Sequence, residues 1–338
     1  MNEPAAERRV LVLGGSGAVG REVSARLAAG SVRVTAAARR PPGDLAGVTP
    51  LPLDVRDAAA LAAALSEAAV VVDATGLDDP AVAMAAARAR VDLVDISADR
   101  AHLEWLGTLD ADARGSGSRL VGWVGLAPGL TTLLAEAVAA ALLEAQPVPG
   151  GASVQVTTLF GLGEAHGVSA TRWLLDQLAS APPAGVPRAA RVGVPGRRSP
   201  LGYSVDFGEP ATVGAGVPVA SRCVLDPPLL GSALATLMRV PGAPALFSRS
   251  AGLAGALLPH DRWTLVATAS GAGPAGQVVA SATGRGQNAG TATVTAWAVE
   301  LLFGAGLAAG AHPLGRITDL AAARPALAAH DISITLPA

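Results

Sequence analysis

The sequence predicts an α/β fold: a doubly wound parallel sheet followed by a second, inserted α+β domain. Three observations carry this. Short apolar runs alternate with helical periodicity over the first part of the chain. A glycine-rich turn joins the first such run to the first helix. After Pro128-Gly129 the texture changes, and longer runs with two-residue alternation appear.

The elements follow in order. Arg9 to Leu13 reads as a strand and Gly14 to Gly20 as the turn. A helix from Ala18 carries Val19, Val23 and Leu27 on one face and closes at Gly30. Val32–Ala36 and Thr49–Leu53 read as strands, and Asp57 caps a helix bearing Leu61 and Leu65. Ala69–Val72 is a fourth strand, running into Ala74-Thr75-Gly76. A helix over Pro80–Arg90, a strand over Val91–Ile96, one helix over Ala101–Ala113 and a strand over Arg119–Val124 complete the alternation. Beyond it come a helix over Leu130–Ala145, a strand over Ser153–Phe160 and a helix over Ser169–Leu178. Ala181–Pro200, rich in proline, arginine and glycine, reads as loop, and His312 as a loop residue. Trp263–Ala269 and Gln277–Ala282 read as antiparallel strands, and Ala289–Leu307 as a last long helix. The domain boundaries expected are 1–128, 129–287 for the inserted α+β domain, and 288–338 returning to the first domain.

Composition bounds the function. At 338 residues the chain exceeds what one core usually organises. With 51% hydrophobic and 15% charged residues it is globular rather than disordered. The net charge of −2 and the lack of a long basic stretch argue against nucleic acid as a partner. Cys223, the single cysteine, fits a reducing cytoplasm. Met1–Arg9 is polar and leads straight into a strand, so no secretory signal is expected. The apolar stretch Thr293–Ala311 carries Glu300 mid-run and reads as a buried helix, not a stable membrane insertion. All 25 basic residues are arginine. Lysine Schiff-base and lysine general-base chemistry are therefore excluded. So is the Tyr-x-x-x-Lys pair of short-chain dehydrogenases.

The turn Gly14-Gly15-Ser16-Gly17-Ala18-Val19-Gly20 satisfies G-x-G-x-x-G between a strand and a helix. Such glycines serve the tight turn, backbone approach to a pyrophosphate and helix-on-strand packing. The pyrophosphate rests on the helix N-terminus. Gly14, Gly15, Ser16, Gly17, Ala18 and Val19 are therefore the expected dinucleotide cradle of a Rossmann domain. NAD-binding domains place an acidic residue about 20 residues further on. Here the second strand ends in Ala36-Ala37-Ala38-Arg39-Arg40, which offers two guanidiniums instead. NADP(H) is the expected cofactor, with Arg39 and Arg40 on its 2′-phosphate. Asp54 and Val55 are candidates for the adenine side, with helix capping the other reading of Asp54. Thr75 and Gly76, at the carboxyl end of the fourth strand, are candidates for ribose or phosphate.

These residues resemble a family. Val10-Leu-Val-Leu-Gly-Gly-Ser-Gly-Ala-Val-Gly, Val70-Val-Val-Asp-Ala-Thr-Gly and Val91-Asp-Leu-Val-Asp-Ile-Ser are similar to the saccharopine dehydrogenase-like (saccharopine reductase-like) NADP-binding oxidoreductases. Val121-Gly-Trp-Val-Gly-Leu-Ala-Pro-Gly-Leu resembles that family's crossover into its second domain. Gly284-Arg-Gly-Gln-Asn-Ala-Gly resembles its lead into the final helix. The resemblance covers about residues 9–135 and is loose from 150 to 285. It implies an NADP-binding Rossmann domain and an inserted domain over the active cleft. The amino-acid-binding features of a saccharopine-forming enzyme are not recognisable in the middle, so saccharopine itself is not the expected substrate.

For the proton that accompanies hydride transfer, the densest polar cluster is Gly161-Leu-Gly-Glu-Ala-His-Gly. His166 is the expected acid, with Glu164 orienting it or protonating an imine. The plain alternative is a turn with an exposed histidine. Tyr203, on the alternating run Leu201–Phe207, is a further candidate donor or a half-buried strand tyrosine. No histidine spacing suits a metal. The reading is an NADPH-dependent oxidoreductase reducing a C=N or C=O bond of a small, largely apolar metabolite. The alternatives are a cyclase or epimerase that retains its dinucleotide and a cofactor-sensing protein without turnover. A small-molecule substrate is the expected partner, and a homodimer is compatible with the sequence.

Overall fold

β1 (Arg9–Leu13) is apolar along its length, and Val10 to Leu13 are buried on both faces. That is the pattern of a central parallel strand covered by helices on either side. The computed structural model describes residues 8–77, 79–145, 151–163, 168–182, 186–240, 261–271, 276–304 and 306–337. The chain divides into two units, Met1–Gly129 with Asn288–Thr318, and Leu130–Gln287 with Asp319–Ala338.

In the first unit β1 is followed by α1 (Ala18–Ala28), β2 (Arg33–Ala38), β3 (Val48–Pro52), α2 (Ala58–Leu65), β4 (Val70–Asp73), α3 (Pro80–Ala89), β5 (Asp92–Asp95), α4 (Arg100–Thr108), α5 (Asp110–Ser116) and β6 (Arg119–Gly122). With β14 (Gly310–Pro313) these strands make a seven-stranded sheet in the order β14-β6-β5-β4-β1-β2-β3. Every pairing in it is parallel. The order reverses at β1, which makes the crevice outside the carboxyl ends of β1 and β4 the place where such sheets take a ligand. One face buries Leu11, Leu13, Val71, Leu93 and Leu120 against Leu61, Leu65, Val82 and Leu106 from the helices.

The helix starts are written in the sequence. Asp57, Asp79 and Asp99 cap α2, α3 and α4 with side-chain bonds to backbone amides. At the opposite end of β5, Asp92 Oδ1 accepts from Arg119 N at 2.7 Å and its Oδ2 from Arg119 Nε at 2.9 Å. This pair ties the start of β5 to the start of β6.

The second unit holds α6 (Thr131–Ala145), β7 (Ser153–Gly161), α7 (Val168–Ala179), β8 (Ala189–Arg191), β9 (Leu201–Ser204), β10 (Thr212–Val213), β11 (Val217–Asp226), α8 (Pro228–Leu237), β12 (Arg262–Ser270) and β13 (Gln277–Arg285). The long helix α9 (Gln287–Phe303) returns the chain to the first unit, and α10 (Leu320–Ala328) and β15 (Ser333–Thr335) close the second. The sheet is mixed, in the order β15-β13-β12-β7-β11-β9-β8, with β10 paired to β11. β7 and β11 run parallel, while β12 is antiparallel to both β7 and β13. α6 packs on β7, β12 and β13. Among the described residues it is the one helix, with the preceding turn, long and apolar enough to cross a membrane, and 67% of its apolar window is buried in the protein. Burial of Leu133, Leu134, Val138 and Leu142 explains its composition.

Four expectations are corrected. The stretch expected as one helix over Ala101–Ala113 is two, α4 and α5, which break at Leu109. The apolar run ending at Ala311 does not stay helical. Gly310–Pro313 leaves α9 behind and pairs with β6, so His312 lies on an edge strand and not in a loop. The loop expected over Ala181–Pro200 contains the short strand β8. The tail expected with the first domain divides at Thr318, and β15 pairs with β13 in the second unit.

Replacing Asp92 with alanine strands the Arg119 guanidinium and amide at a half-buried seam. We expect a loss of about 2–3 kcal/mol, the worth of a hydrogen-bonded charge, read as a lower urea midpoint.

Candidate functional site

β1 ends at Leu13, and Gly14 turns the chain with φ +76. A Cβ there would lie 2.3 Å from the carbonyl oxygen of Ala74, just past β4. Gly20, one turn into α1, approaches equally closely. Its absent Cβ would sit 2.3 Å from Gly14 O. The helix therefore presses its first turn onto the glycine loop, and the Gly17 amide donates to Gly14 O at 2.9 Å.

α1 differs from its neighbours at the cap. Its N-cap is Gly17, in extended conformation, and no side chain caps it. α2, α3 and α4 each spend an aspartate on that task. The amide end of α1 is thus left for an anion from outside the protein. Ser16 and Gly17 are exposed there, and Ala18 and Val19 half-buried.

β2 lies beside β1, with Leu13 opposite Ala37, and ends at Ala38. Arg39 and Arg40 follow at once and are exposed. Among the described residues neither has an ion-pair partner. The first carboxylate after β2 is Asp44, and it is taken. Arg21 of α1 donates to both its oxygens at 3.0 and 2.8 Å, and holds its carboxyl below the ordinary range. No acid competes at the end of β2 for a ribose 2′-hydroxyl, and two guanidiniums are available to a phosphate.

The other expected cofactor residues fall as follows. Asp54 is exposed and accepts from Arg56 N at 3.1 Å, while the helix cap is Asp57. Val55 packs against the helix-side core of the unit. Thr75 is half-buried and donates through N and Oγ1 to Asp73 Oδ1, at 2.9 and 2.7 Å. Gly76 is exposed, with φ +60. Glu164 and His166 lie outside the described residues. Tyr203 is on β9, half-buried, with Cys223 as its register partner on β11. Cys223 itself is buried, its thiol pushed up to about 12 by burial, so it is no nucleophile.

Two groups are assembled only by the structure, though the sequence already set Asp95 and Ser97 at the crevice end of the fifth strand, with a structural role the other reading. The first is a cluster at the carboxyl edge of the parallel sheet. Asp73 and Asp95 are register partners at the ends of β4 and β5. Asp95 Oδ1 accepts from Ser97 N at 2.8 Å, and its Oδ2 accepts from His102 Nε2 at 2.8 Å. All three are buried, at 8% exposed for Asp73, 2% for Asp95 and 6% for His102. Burial first, and then the neighbouring Asp95, push the Asp73 carboxyl up to about 6. The second is Glu209, between β9 and β10. It is buried, accepts from Ser221 Oγ at 2.8 Å, and is raised above the ordinary range by burial. The sequence set Asp73 just past the fourth strand and Asp95 near the end of the fifth. Only the register shows that they meet.

With this geometry in view, residues 10–121 match the family model described as the saccharopine dehydrogenase NADP binding domain. Over those residues the chain is similar to the NADP binding domain of the saccharopine dehydrogenases. Its NADP-binding domain is the parallel sheet just described, and its cofactor is NADP(H). No curated protein matches the sequence. Among solved structures, apo saccharopine dehydrogenase (L-Glu forming) from Saccharomyces cerevisiae aligns with a TM-score of 0.60 at 16% identity, covering 97% of this chain and 100% of that one. At that identity the likeness is one of fold. C. glutamicum DAP dehydrogenase aligns with a TM-score of 0.49 at 16% identity, over 91% of this chain and 93% of that one.

Asp73 also makes a stability prediction. The folded chain holds its proton up to about pH 6, where the unfolded chain would release it near the ordinary aspartate value of 3.8. The folded state binds more protons in that window, so this group's contribution to stability falls as pH rises through it and stays low above. Asp73→Asn, which mimics the protonated acid, is expected to gain on the wild type as pH rises from about 4 to about 7. The check is the difference in denaturant midpoints across that range.

Proposed function

We propose that this protein is an NADPH-dependent reductase of a C=N or C=O bond in a small, largely apolar metabolite. The observation that carries the reading is the end of β2, where unpaired Arg39 and Arg40 stand in place of an acid. The uncapped start of α1 supports the same reading for the diphosphate. When bound, NADPH supplies the hydride; the chain supplies position, a proton and a water-poor site.

For the proton we propose Glu164 and His166, with Tyr203 as a further donor. Glu164 and His166 follow closely on the carboxyl end of β7, and Leu162 N there donates to Asp226 O at 3.0 Å. A histidine titrates near neutrality and exchanges a proton without a large cost in either direction. The apolar substrate class is supported by the scarcity of charge in the chain, 15% of residues, and by the apolar character of β7, β11 and β12.

Arg39→Ala is the decisive variant for cofactor choice. A charge-assisted bond to phosphate is worth about 1.5–3 kcal/mol. NADPH affinity should fall roughly tenfold to a hundredfold while NADH affinity barely changes. Equal losses for both nucleotides would remove the 2′-phosphate role. For the chemistry, His166→Gln should lower kcat against a panel of apolar ketones and imines, followed at 340 nm, and leave NADPH binding intact. Full turnover by that variant would remove His166 as the acid.

A further inference from the structure

β4 and β5 end on acids that face the same side of the sheet, because register partners on neighbouring strands share a face. Asp73 and Asp95 are both buried, and two buried carboxylates side by side resist joint ionisation. Among the described residues the charged groups that act on Asp73 are Asp95, from β5, and His102, from α4. β1, on the other side of β4, sets Leu13 opposite Asp73, and from the loop after β4 the amide and hydroxyl of Thr75 donate to it. His102 is engaged with Asp95 at 2.8 Å. Asp95 therefore has an imidazole partner, and among the described residues Asp73 has none of its own. Its Oδ1 already accepts both Thr75 bonds, so its exchangeable proton sits on Oδ2.

This cluster lies at the sheet edge outside which an open α/β sheet holds its ligand. A dinucleotide diphosphate is an anion. A cluster with one uncompensated carboxylate repels it, and a neutral cluster does not. We propose that Asp73, Asp95 and His102 act as one proton-linked unit, taking up a proton from solvent when NADP(H) binds. Cofactor affinity is then set by this buried cluster as well as by the glycine turn. His102 acts as a positioning residue through Asp95, which in turn holds the Ser97 amide at the rim after β5. Exchange near pH 6 follows from the burial of Asp73 and from its neighbour Asp95. The inference rests on the assignment of NADP(H) to this domain.

The test is nucleotide binding, followed by fluorescence of NADPH and NADH, from about pH 5 to about pH 8.5. NADH is included because the 2′-phosphate of NADPH itself titrates with a pKa of about 6. For the wild type, NADH should weaken about tenfold as pH rises through the cluster, which corresponds to a one-unit rise in the acid's pKa on binding. Asp73→Asn should flatten the NADH profile at the tight, acid-side value. His102→Gln removes the cation that favours ionised Asp73, so the midpoint should move to higher pH. A wild-type profile for NADH that is already flat, or an Asp73→Asn profile with the wild-type slope, overturns the proposal. Should Asp73→Asn not fold, an unmoved midpoint in His102→Gln overturns it. Failure of folded wild type to bind either nucleotide at any pH would instead sink the cofactor assignment beneath it.

Discussion

The contact between Gly20 and the carbonyl oxygen of Gly14 is the constraint on which the first unit turns. No side chain fits there, since a Cβ at Gly20 would lie 2.3 Å from that oxygen. The close seat brings the amide end of α1 directly over the end of β1, where a capping side chain would otherwise stand. β2 then runs parallel beside β1, and its end delivers Arg39 and Arg40 to the same edge of the sheet. The proposed diphosphate and 2′-phosphate contacts thus share one backbone arrangement. Neither needs a buried polar side chain.

β5 shows how one residue type serves two ends differently. Asp92, at its start, is bound by Arg119 through both its backbone amide and its guanidinium. That pair is a fixed seam between β5 and β6. Asp95, at its end, is bound by the His102 imidazole and has Asp73 beside it. That end is the one that faces the ligand in sheets of this order. A fixed pair thus sits at the far end of β5 and the proposed proton-exchanging cluster at the near end.

Much of this was legible in the sequence, for identifiable reasons. The strands β1, β2, β4 and β5 are short apolar runs bounded by turn residues, and the caps Asp57 and Asp79 precede helical periodicity by one residue. The strand β14 was not legible. Gly310-Ala-His-Pro has no β-branched residue and no alternation, and it is a strand only because β6 has an unfilled edge. The break between α4 and α5 carries no glycine or proline at Leu109, so periodicity alone reads through it. His102 looked like one of several scattered histidines. What marks it is the burial of its ring against an aspartate seven residues earlier, across a loop whose path the sequence does not give.

The second unit is a mixed sheet with α6 against it, and the hydride chemistry proposed there needs the nucleotide of the first unit. The protein's chemistry therefore depends on whether the first unit holds a nucleotide at all. Isothermal titration calorimetry of the folded chain with NADPH measures this most directly. Saturable uptake of about one nucleotide per chain, weaker for NADH, is expected from the α1 cradle and the β2 arginines. No binding heat with either nucleotide, from material shown to be folded by its melting transition, would contradict it.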